Sequence, residues 1–192
     1  MKKGISIFLC LLLLLIMLVG CGGEKTQILG DITFTYNSTE TPDYFPVENE
    51  NYPTEYFRCS PKSGGDIAVY AYHLSDYLDD NAKEDLRIEK VEEYLLEVEG
   101  DNSSIHDFLT IYKVTEEDYQ DIVPGVTVKI GSTDIHDVVG YRDVSVASFV
   151  YKNAIYLVTF EMRCYGNEPD YTNKYLAARN YYFELLGSIE TK

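Results

Sequence analysis

The sequence predicts an α+β fold in which an antiparallel β-sheet carries two main helices. Three observations predict it. Apolar and polar residues alternate over several short segments, as they do in half-buried strands. Apolar residues recur at helical spacing in two longer segments. The last two predicted strands are separated by a two-residue turn typical of a β-hairpin. Strands and helices in this order predict a sandwich of sheet and helices.

The first part of the folded region predicts three strands. The segment 31–36 alternates apolar with polar residues and predicts a half-buried strand. A loop rich in Pro and Asn is predicted over 37–53. Two further strands are predicted over 54–59 and 66–72, with a turn that contains two glycines between them.

The loop over 37–53 contains three aromatic residues, Tyr44, Phe45 and Tyr52. Aromatic side chains in a loop on a rigid scaffold are candidates for a binding patch, because loops often carry function. The alternative is that they pack the loop onto the sheet, as we expect for most of the 18 tyrosines.

The first helix is predicted to begin at Asn81, which caps it together with Glu84, and to end at Gly100. Its apolar stripe consists of Ile88, Val91, Leu95 and Val98. The aspartates just before it are typical of a solvated helix start, where the helix dipole favours negative charge.

The second part of the chain predicts further strands and a closing helix. The strands are predicted over 108–114, 126–130, 144–151 and 154–165. A tight Lys-Asn turn connects the last two. The closing helix is predicted over 171–189, with an apolar stripe formed by Tyr175, Ala178, Tyr182, Leu185, Leu186 and Ile189.

This order of elements resembles the PsbP-like α/β/α sandwich. The residues that carry the likeness are Gly-Asp-Ile-Thr-Phe at 30–34, Asn-Ala-Ile-Tyr-Leu-Val-Thr-Phe at 153–160 and Phe-Glu-Leu-Leu-Gly-Ser-Ile at 183–189. The resemblance implies an accessory or binding role, because members of that family act as accessory and binding proteins. The competing folds are a four-stranded ferredoxin-like layer and a cystatin-like layer.

The N-terminus predicts export. Two lysines precede an apolar run of 15 residues, which is typical of a secretory leader and short for a membrane span. The run ends in Leu18-Val19-Gly20-Cys21, which resembles the lipobox of bacterial lipoproteins. The resemblance implies that Cys21 receives a diacylglyceryl group and becomes the mature N-terminus. The predicted organisation is a cleaved signal peptide over 1–20, a lipidated Cys with a flexible tether over 21–30, and a single ectodomain over 31–192.

The net charge of the chain restricts the kinds of molecule that it is expected to bind. The chain has 16 basic and 32 acidic residues, and without Lys2 and Lys3 its net charge is −18. Nucleic acid is excluded as a partner because phosphate binding needs clustered cationic side chains. A cationic or neutral envelope protein or ligand is expected instead.

Two cysteines remain in the predicted ectodomain, Cys59 and Cys164. Strand parity places both on apolar faces, so they could form a disulfide in an oxidising compartment. The alternative is two buried free thiols, since Cys is among the most buried residue types.

No catalytic residue, metal or cofactor is predicted. Asp134, His136 and Asp137 place two carboxylates beside an imidazole, but no zinc, P-loop or nucleophile motif accompanies them. The sequence therefore predicts a non-catalytic binding or accessory lipoprotein on the extracytoplasmic face of the cell membrane. The alternatives are a small-ligand or divalent-cation binding lipoprotein and, last, an envelope hydrolase that uses those three residues.

Overall fold

The structure is a computed structural model that describes residues 24–37, 42–46, 55–99, 117–136, 141–164 and 170–192. Within these ranges, the side chains of 44–46, 99, 133–136, 141 and 164 are outside the description.

The described residues form ten strands and two helices. The strands are β1 (Lys25–Leu29), β2 (Ile32–Tyr36), β3 (Asp43–Pro46), β4 (Glu55–Cys59), β5 (Asp66–His73), β6 (Glu117–Val123), β7 (Val126–His136), β8 (Tyr141–Tyr151), β9 (Ala154–Cys164) and β10 (Glu190–Thr191). The helices are α1 (Asp80–Glu99) and α2 (Tyr171–Gly187).

Seven strands form one antiparallel sheet in the order β3-β4-β5-β9-β8-β7-β6. The predicted hairpin lies near its centre, where β8 and β9 pair over their whole length around the Lys152-Asn153 turn. A smaller antiparallel sheet has the order β1-β2-β10. The predicted α+β class is confirmed.

The two helices cover opposite faces of the large sheet. Val91 and Leu95 of α1 pack on one face with Val146 and Leu157 of the central strands. Side chains of opposite parity on the same strands form the other face, where α2 and the small sheet complete a larger core. Successive residues of a strand point to opposite faces, so this alternation produces the three-layer α/β/α arrangement.

Helix α1 begins at Asp80, and its cap lies two residues before the predicted cap, Asn81. The backbone N–H of Ala82 donates to Asp79 Oδ1 at 2.8 Å, so Asp79 is the cap. The predicted stripe is confirmed at Val91 and Leu95, whereas Ile88 is 36% exposed. Arg87, which is 1% exposed, takes the buried position beside it.

Helix α2 agrees with the predicted stripe. Ala178, Tyr182, Leu185 and Leu186 are buried against the sheet. The helix ends at Gly187, and Ile189 is buried just beyond it.

Four strands occur where none was predicted, and one of them is the two-residue β10 that follows α2. The flexible tether predicted over 21–30 is wrong for Lys25–Leu29, which pairs with β2. The loop predicted over 37–53 contains Asp43–Pro46, which pairs with β4. Glu117–Val123 pairs with β7, which itself extends beyond the predicted 126–130. The strand predicted over 108–114 lies outside the described residues.

Candidate functional site

Two clefts lie at opposite ends of helix α2. The first, which we name the cationic cleft, has a volume of about 550 Å³ and includes Lys174 near the start of the helix. The second, which we name the anchor-side groove, has a volume of about 500 Å³ and includes Ser188 just after its end. Fourteen residues separate these positions, which corresponds to about 21 Å along a helix.

The turn between β4 and β5 forms one wall of the cationic cleft. Gly64 and Gly65 adopt φ angles of 96° and 79°, in the left-handed region that favours glycine. A Cβ atom at position 65 would lie 2.9 Å from Phe160 Cε2 and 3.0 Å from the carbonyl oxygen of Glu161. Only glycine therefore lets this turn pack so closely against β9.

Strand β9 forms the opposite wall, at the point where its pairing with β5 ends. The last pair of the two strands is Asp66 with Glu161, whereas Arg163 pairs only with β8. The Glu161 carbonyl points towards the turn, and backbone direction alternates along a strand. The N–H and C=O of Arg163 therefore point to the same side, into the cleft.

The two carboxylates of the cleft already have partners. Asp66 accepts hydrogen bonds from Arg58 Nη2 at 2.9 Å and from Ser60 Oγ at 2.6 Å. The hydrogen bond to Asp66 raises the pKa of Arg58, which keeps the guanidinium charged. Glu161 accepts from Tyr94 Oη at 2.7 Å.

Arg142 supports the cleft from the neighbouring strand. Its Nη1 lies 3.6 Å from Glu161 Oε2 and donates to the carbonyl oxygen of Val98 at 2.7 Å. In the register of β8 and β9, Arg142 is directly opposite Arg163. Residues opposite each other share a face of the sheet, and like charges in this position are destabilising.

The cleft therefore concentrates positive charge on an acidic protein. Its lining includes three cations, Arg58, Arg163 and Lys174, and two carboxylates, which gives three minus two, or +1, whereas the chain carries −16. The side chain of Arg163 makes no hydrogen bond or ion pair with any described residue. Chemically, this arrangement can hold an anion.

The anchor-side groove has the opposite charge. Its charged lining residues are Glu24 and Glu184. The backbone N–H of Asn37 donates to Tyr181 Oη, and burial raises the pKa of that tyrosine to about 12. Thr35 N–H donates to Ser188 Oγ at 2.9 Å, which ties strand β2 to the end of α2.

Two of the three residues of the predicted binding loop lie in a strand. Tyr44 and Phe45 belong to strand β3, with backbone partners Phe57 and Tyr56 in β4. Tyr52 lies outside the described residues, as does Cys21. The prediction of a loop is therefore wrong for 43–46, and a binding patch at these aromatic residues stays a prediction.

The structure decides between the two alternatives for Cys59. Cys59 is a buried free thiol. It is paired with Ile67, which is paired with Phe160, four residues before Cys164. Two strand spacings and four residues place the two Cα atoms about 16 Å apart. A disulfide needs Cα atoms within about 7 Å, so the predicted possibility of a bridge is wrong in this structure.

The candidate hydrolase residues occupy the end of one strand. Asp134 and His136 belong to β7, and Asp137 lies outside the described residues. Among the described side chains, no group of three His, Cys, Asp or Glu residues could hold a metal ion. Neither described helix is long and apolar enough to cross a membrane.

One polar cluster was not predicted from the sequence. The Gly30 N–H donates to Glu55 Oε2 at 3.1 Å, and His73 Nε2 lies 3.5 Å from Glu55 Oε1. Beside them, the Asp31 N–H donates to Tyr156 Oη at 2.9 Å. These contacts join the small sheet to the large one. The residues come from the β1–β2 turn and from β4, β5 and β9, so no local motif marks the cluster.

Comparison with known proteins gives distant likenesses only. No family model matches the chain, and no curated protein matches it. A protein of Bacteroides thetaiotaomicron VPI-5482 is similar at 8% identity with a TM-score of 0.47, over 90% of this chain and 49% of that one. The chain thus spans about half the length of that protein. LpqN, involved in cell envelope biogenesis of Mycobacterium tuberculosis, is similar at 13% identity with a TM-score of 0.36, over 89% and 92%. Both TM-scores are below 0.5, so no function is transferred from either protein.

Proposed function

We propose that this chain is a lipid-anchored, extracytoplasmic lipoprotein whose folded domain is a non-catalytic binding module. The observation that carries the proposal is the leader that ends in Leu18-Val19-Gly20-Cys21. Two acyl chains on Cys21 hold a protein stably on a membrane, at about 0.8 kcal/mol per buried methylene, whereas one chain binds only marginally.

The start of the folded domain supports this proposal. Strand β1 begins at Lys25, four residues after Cys21. Four residues span at most about 14 Å, so the anchor would hold the domain close to the bilayer. Glu24 lines the anchor-side groove, and the tether therefore joins the domain at that groove. The cationic cleft lies at the other end of α2.

The net charge supports a module that is held near the membrane without lying flat on it. A body of charge −18 is repelled by anionic lipid within a Debye length of about 8 Å. The same field favours a cationic or neutral envelope protein as a partner of the outer surface.

The anchor is tested by replacing Cys21 with Ser. We expect the variant to lack the diacylglyceryl modification and to keep its leader, which the mass of the N-terminal peptide measures. Cys10→Ser is the matched control, because Cys10 lies inside the leader and its loss should leave lipidation and cleavage unchanged. An intact, unlipidated leader on wild-type protein in the soluble fraction would contradict the proposal.

A further inference from the structure

We propose that the anchor-side groove binds the mature N-terminus of this chain, with the α-ammonium group of Cys21 held between the carboxylates of Glu24 and Glu184. This inference rests on the anchoring proposed above, which makes Cys21 the first residue of the processed chain. The observation behind it is that two carboxylates line a groove whose lining residue Glu24 comes only three residues after Cys21.

The charges at the groove call for one further positive group. Its lining contains two carboxylates, Glu24 and Glu184, and no cation. A cation lies beside it, because Lys25 Nζ is 5.9 Å from the centroid of the Tyr36 ring. One positive and two negative charges give −1, which one ammonium group balances. Tyr36 and Tyr181 also line the groove, and burial raises the pKa of both, of Tyr181 to about 12, so neither is charged at pH 7.

The two carboxylates have no partner in the part of the chain that the structure describes. Neither Glu24 nor Glu184 makes a side-chain hydrogen bond or ion pair there. Glu184 lies in the last turn of α2, which contains no basic residue. The C-terminal end of a helix carries about half a negative charge, so a cation is favourable there and a glutamate is not. An ammonium group in the groove would offset this unfavourable arrangement.

The length of chain before the domain fits this occupant. Three residues span at most about 11 Å, so Cys21 stays close to Glu24. Gly22 and Gly23 have no side chains, which lets the segment turn back towards α2 without a clash. A tether this short gives an effective concentration on the order of millimolar, which favours the chain's own amine over dilute soluble amines. The docked N-terminus would hold the groove against the bilayer and leave the rest of the surface to partners.

The test measures how fast the α-amino group of Cys21 is acetylated in the processed, lipidated chain, in micelles of a neutral detergent at pH 7. The mass of the N-terminal lipopeptide reports the extent of reaction. Only the neutral amine reacts, and nearby carboxylates favour its charged form, so docking slows the reaction. Glu184→Gln should therefore react about threefold to tenfold faster than the wild type, because each unit of pKa changes the neutral fraction about tenfold. Glu24→Gln should change the rate in the same direction.

Two controls separate docking from the general charge of the domain. Glu89→Gln removes the same charge from an exposed position on α1, on the opposite face of the large sheet, and should react at the wild-type rate. Ten flexible residues inserted after Gly23 lower the effective concentration of the amine at the groove. In that longer chain, Glu184→Gln should have little effect on the rate.

Equal rates in the wild type and in Glu184→Gln, or an α-amino group already blocked by an acyl chain, would overturn the proposal. Loss of the Glu184→Gln effect only in micelles that contain phosphatidylethanolamine would assign the groove to the ammonium group of a lipid headgroup, and would overturn it as well. The same lipopeptide shows whether the diacylglyceryl group is present. A diacylated chain with equal rates therefore contradicts the docking alone, whereas an intact leader contradicts the anchoring and the docking together.

Discussion

Three buried tyrosines connect strand β9 to its surroundings through their hydroxyl groups. Tyr94 of α1 donates to Glu161, and Tyr182 of α2 donates to the carbonyl oxygen of Val158 at 3.0 Å. Tyr156 of β9 accepts from the Asp31 N–H, which links the small sheet to the large one. A buried tyrosine needs a partner for its hydroxyl, so each position fixes a contact between layers. For these residues, tyrosine serves packing, as the sequence led us to expect for most of them.

Cys59 should be chemically inert in the folded protein. Burial raises the pKa of its thiol to about 12, so almost no thiolate is present at pH 8, and the thiolate is the reactive form. In a Cys164→Ser variant of the processed chain, Cys59 should therefore resist a thiol reagent until denaturant unfolds the domain. The reagent releases a chromophore when it reacts with a thiol, and the absorbance of that chromophore measures the reaction.

The same reagent counts the thiols of the wild type. Unfolded, unreduced protein should give two free thiols, because Cys59 is unpaired in the structure and too far from Cys164 along the sheet to bridge it. A count of zero would show a disulfide and contradict the register of β4, β5 and β9. Rapid reaction of Cys59 in the native variant would contradict its burial.

Arg87 is a buried residue of helix α1 that the apolar periodicity did not predict. The helical stripe placed Ile88 in the core, but Arg87 is buried there instead. Its guanidinium donates to both carboxylate oxygens of Glu84 at 2.9 Å and also to Ser148 Oγ. A buried charge is tolerated when it is paired and hydrogen-bonded. Ser148 is 61 residues away in the chain, so the sequence alone carries no sign of this pair.

At the scale of elements, two turns that each contain a glycine with nearly the same positive φ angle distinguish the cost of backbone strain from the cost of a steric clash. Gly65 and Gly125 have φ angles of 79° and 76°, but only Gly65 has atoms near the place where a Cβ would stand. Gly125→Ala should lower the free energy of unfolding by about 1 to 2 kcal/mol, which is the cost of a left-handed residue with a side chain. Gly65→Ala adds a clash with β9 and should cost about 2 to 4 kcal/mol.

Urea unfolding of the two alanine variants measures this difference directly. Gly125→Ala is the control for the backbone term, since nothing lies within 4 Å of its Cβ position. If both variants lost the same stability, the close approach of the β4–β5 turn to Phe160 and Glu161 would be refuted. The wall of the cationic cleft would then need another explanation.

The elements that were predicted are those with a strong local pattern. Both helices have an apolar stripe, and β8 and β9 lie in the middle of the sheet, where both faces are buried. The elements that were missed are edge strands. In Glu117–Val123 three acidic residues leave only Val123 buried, and in Lys25–Leu29 only Leu29 is buried. Such strands are stabilised by backbone hydrogen bonds to distant partners, which leave little pattern in their own residues.

At the scale of the whole molecule, the candidate site could not be predicted either. Composition gives only the net charge, and a net charge of −16 repels anions from the protein as a whole. Arg58 precedes Arg163 and Lys174 by more than 100 residues in sequence. The three residues meet because β9 pairs with β5 and α2 returns across the sheet. The positive charge of the cleft on an acidic protein therefore results from the topology of the chain.

The short tether gives the whole domain a preferred orientation. Cys21 would hold the domain from the anchor-side groove, so the end of α2 at Glu184 should lie nearer the bilayer than the start of the helix. Eight residues separate Leu176 from Glu184, which is about 12 Å along the helix. Both positions are exposed and accept a label without disturbing the core.

We therefore expect energy transfer to a bilayer dye to be stronger from a label on Glu184→Cys than from one on Leu176→Cys. Both variants are made in the Cys164→Ser background, where the buried Cys59 should not take the label. Ten flexible residues inserted after Gly23 provide the control, because a longer tether should reduce the difference by allowing the domain to tumble. Equal transfer at the two positions with the natural tether would contradict a cationic cleft that faces away from the membrane.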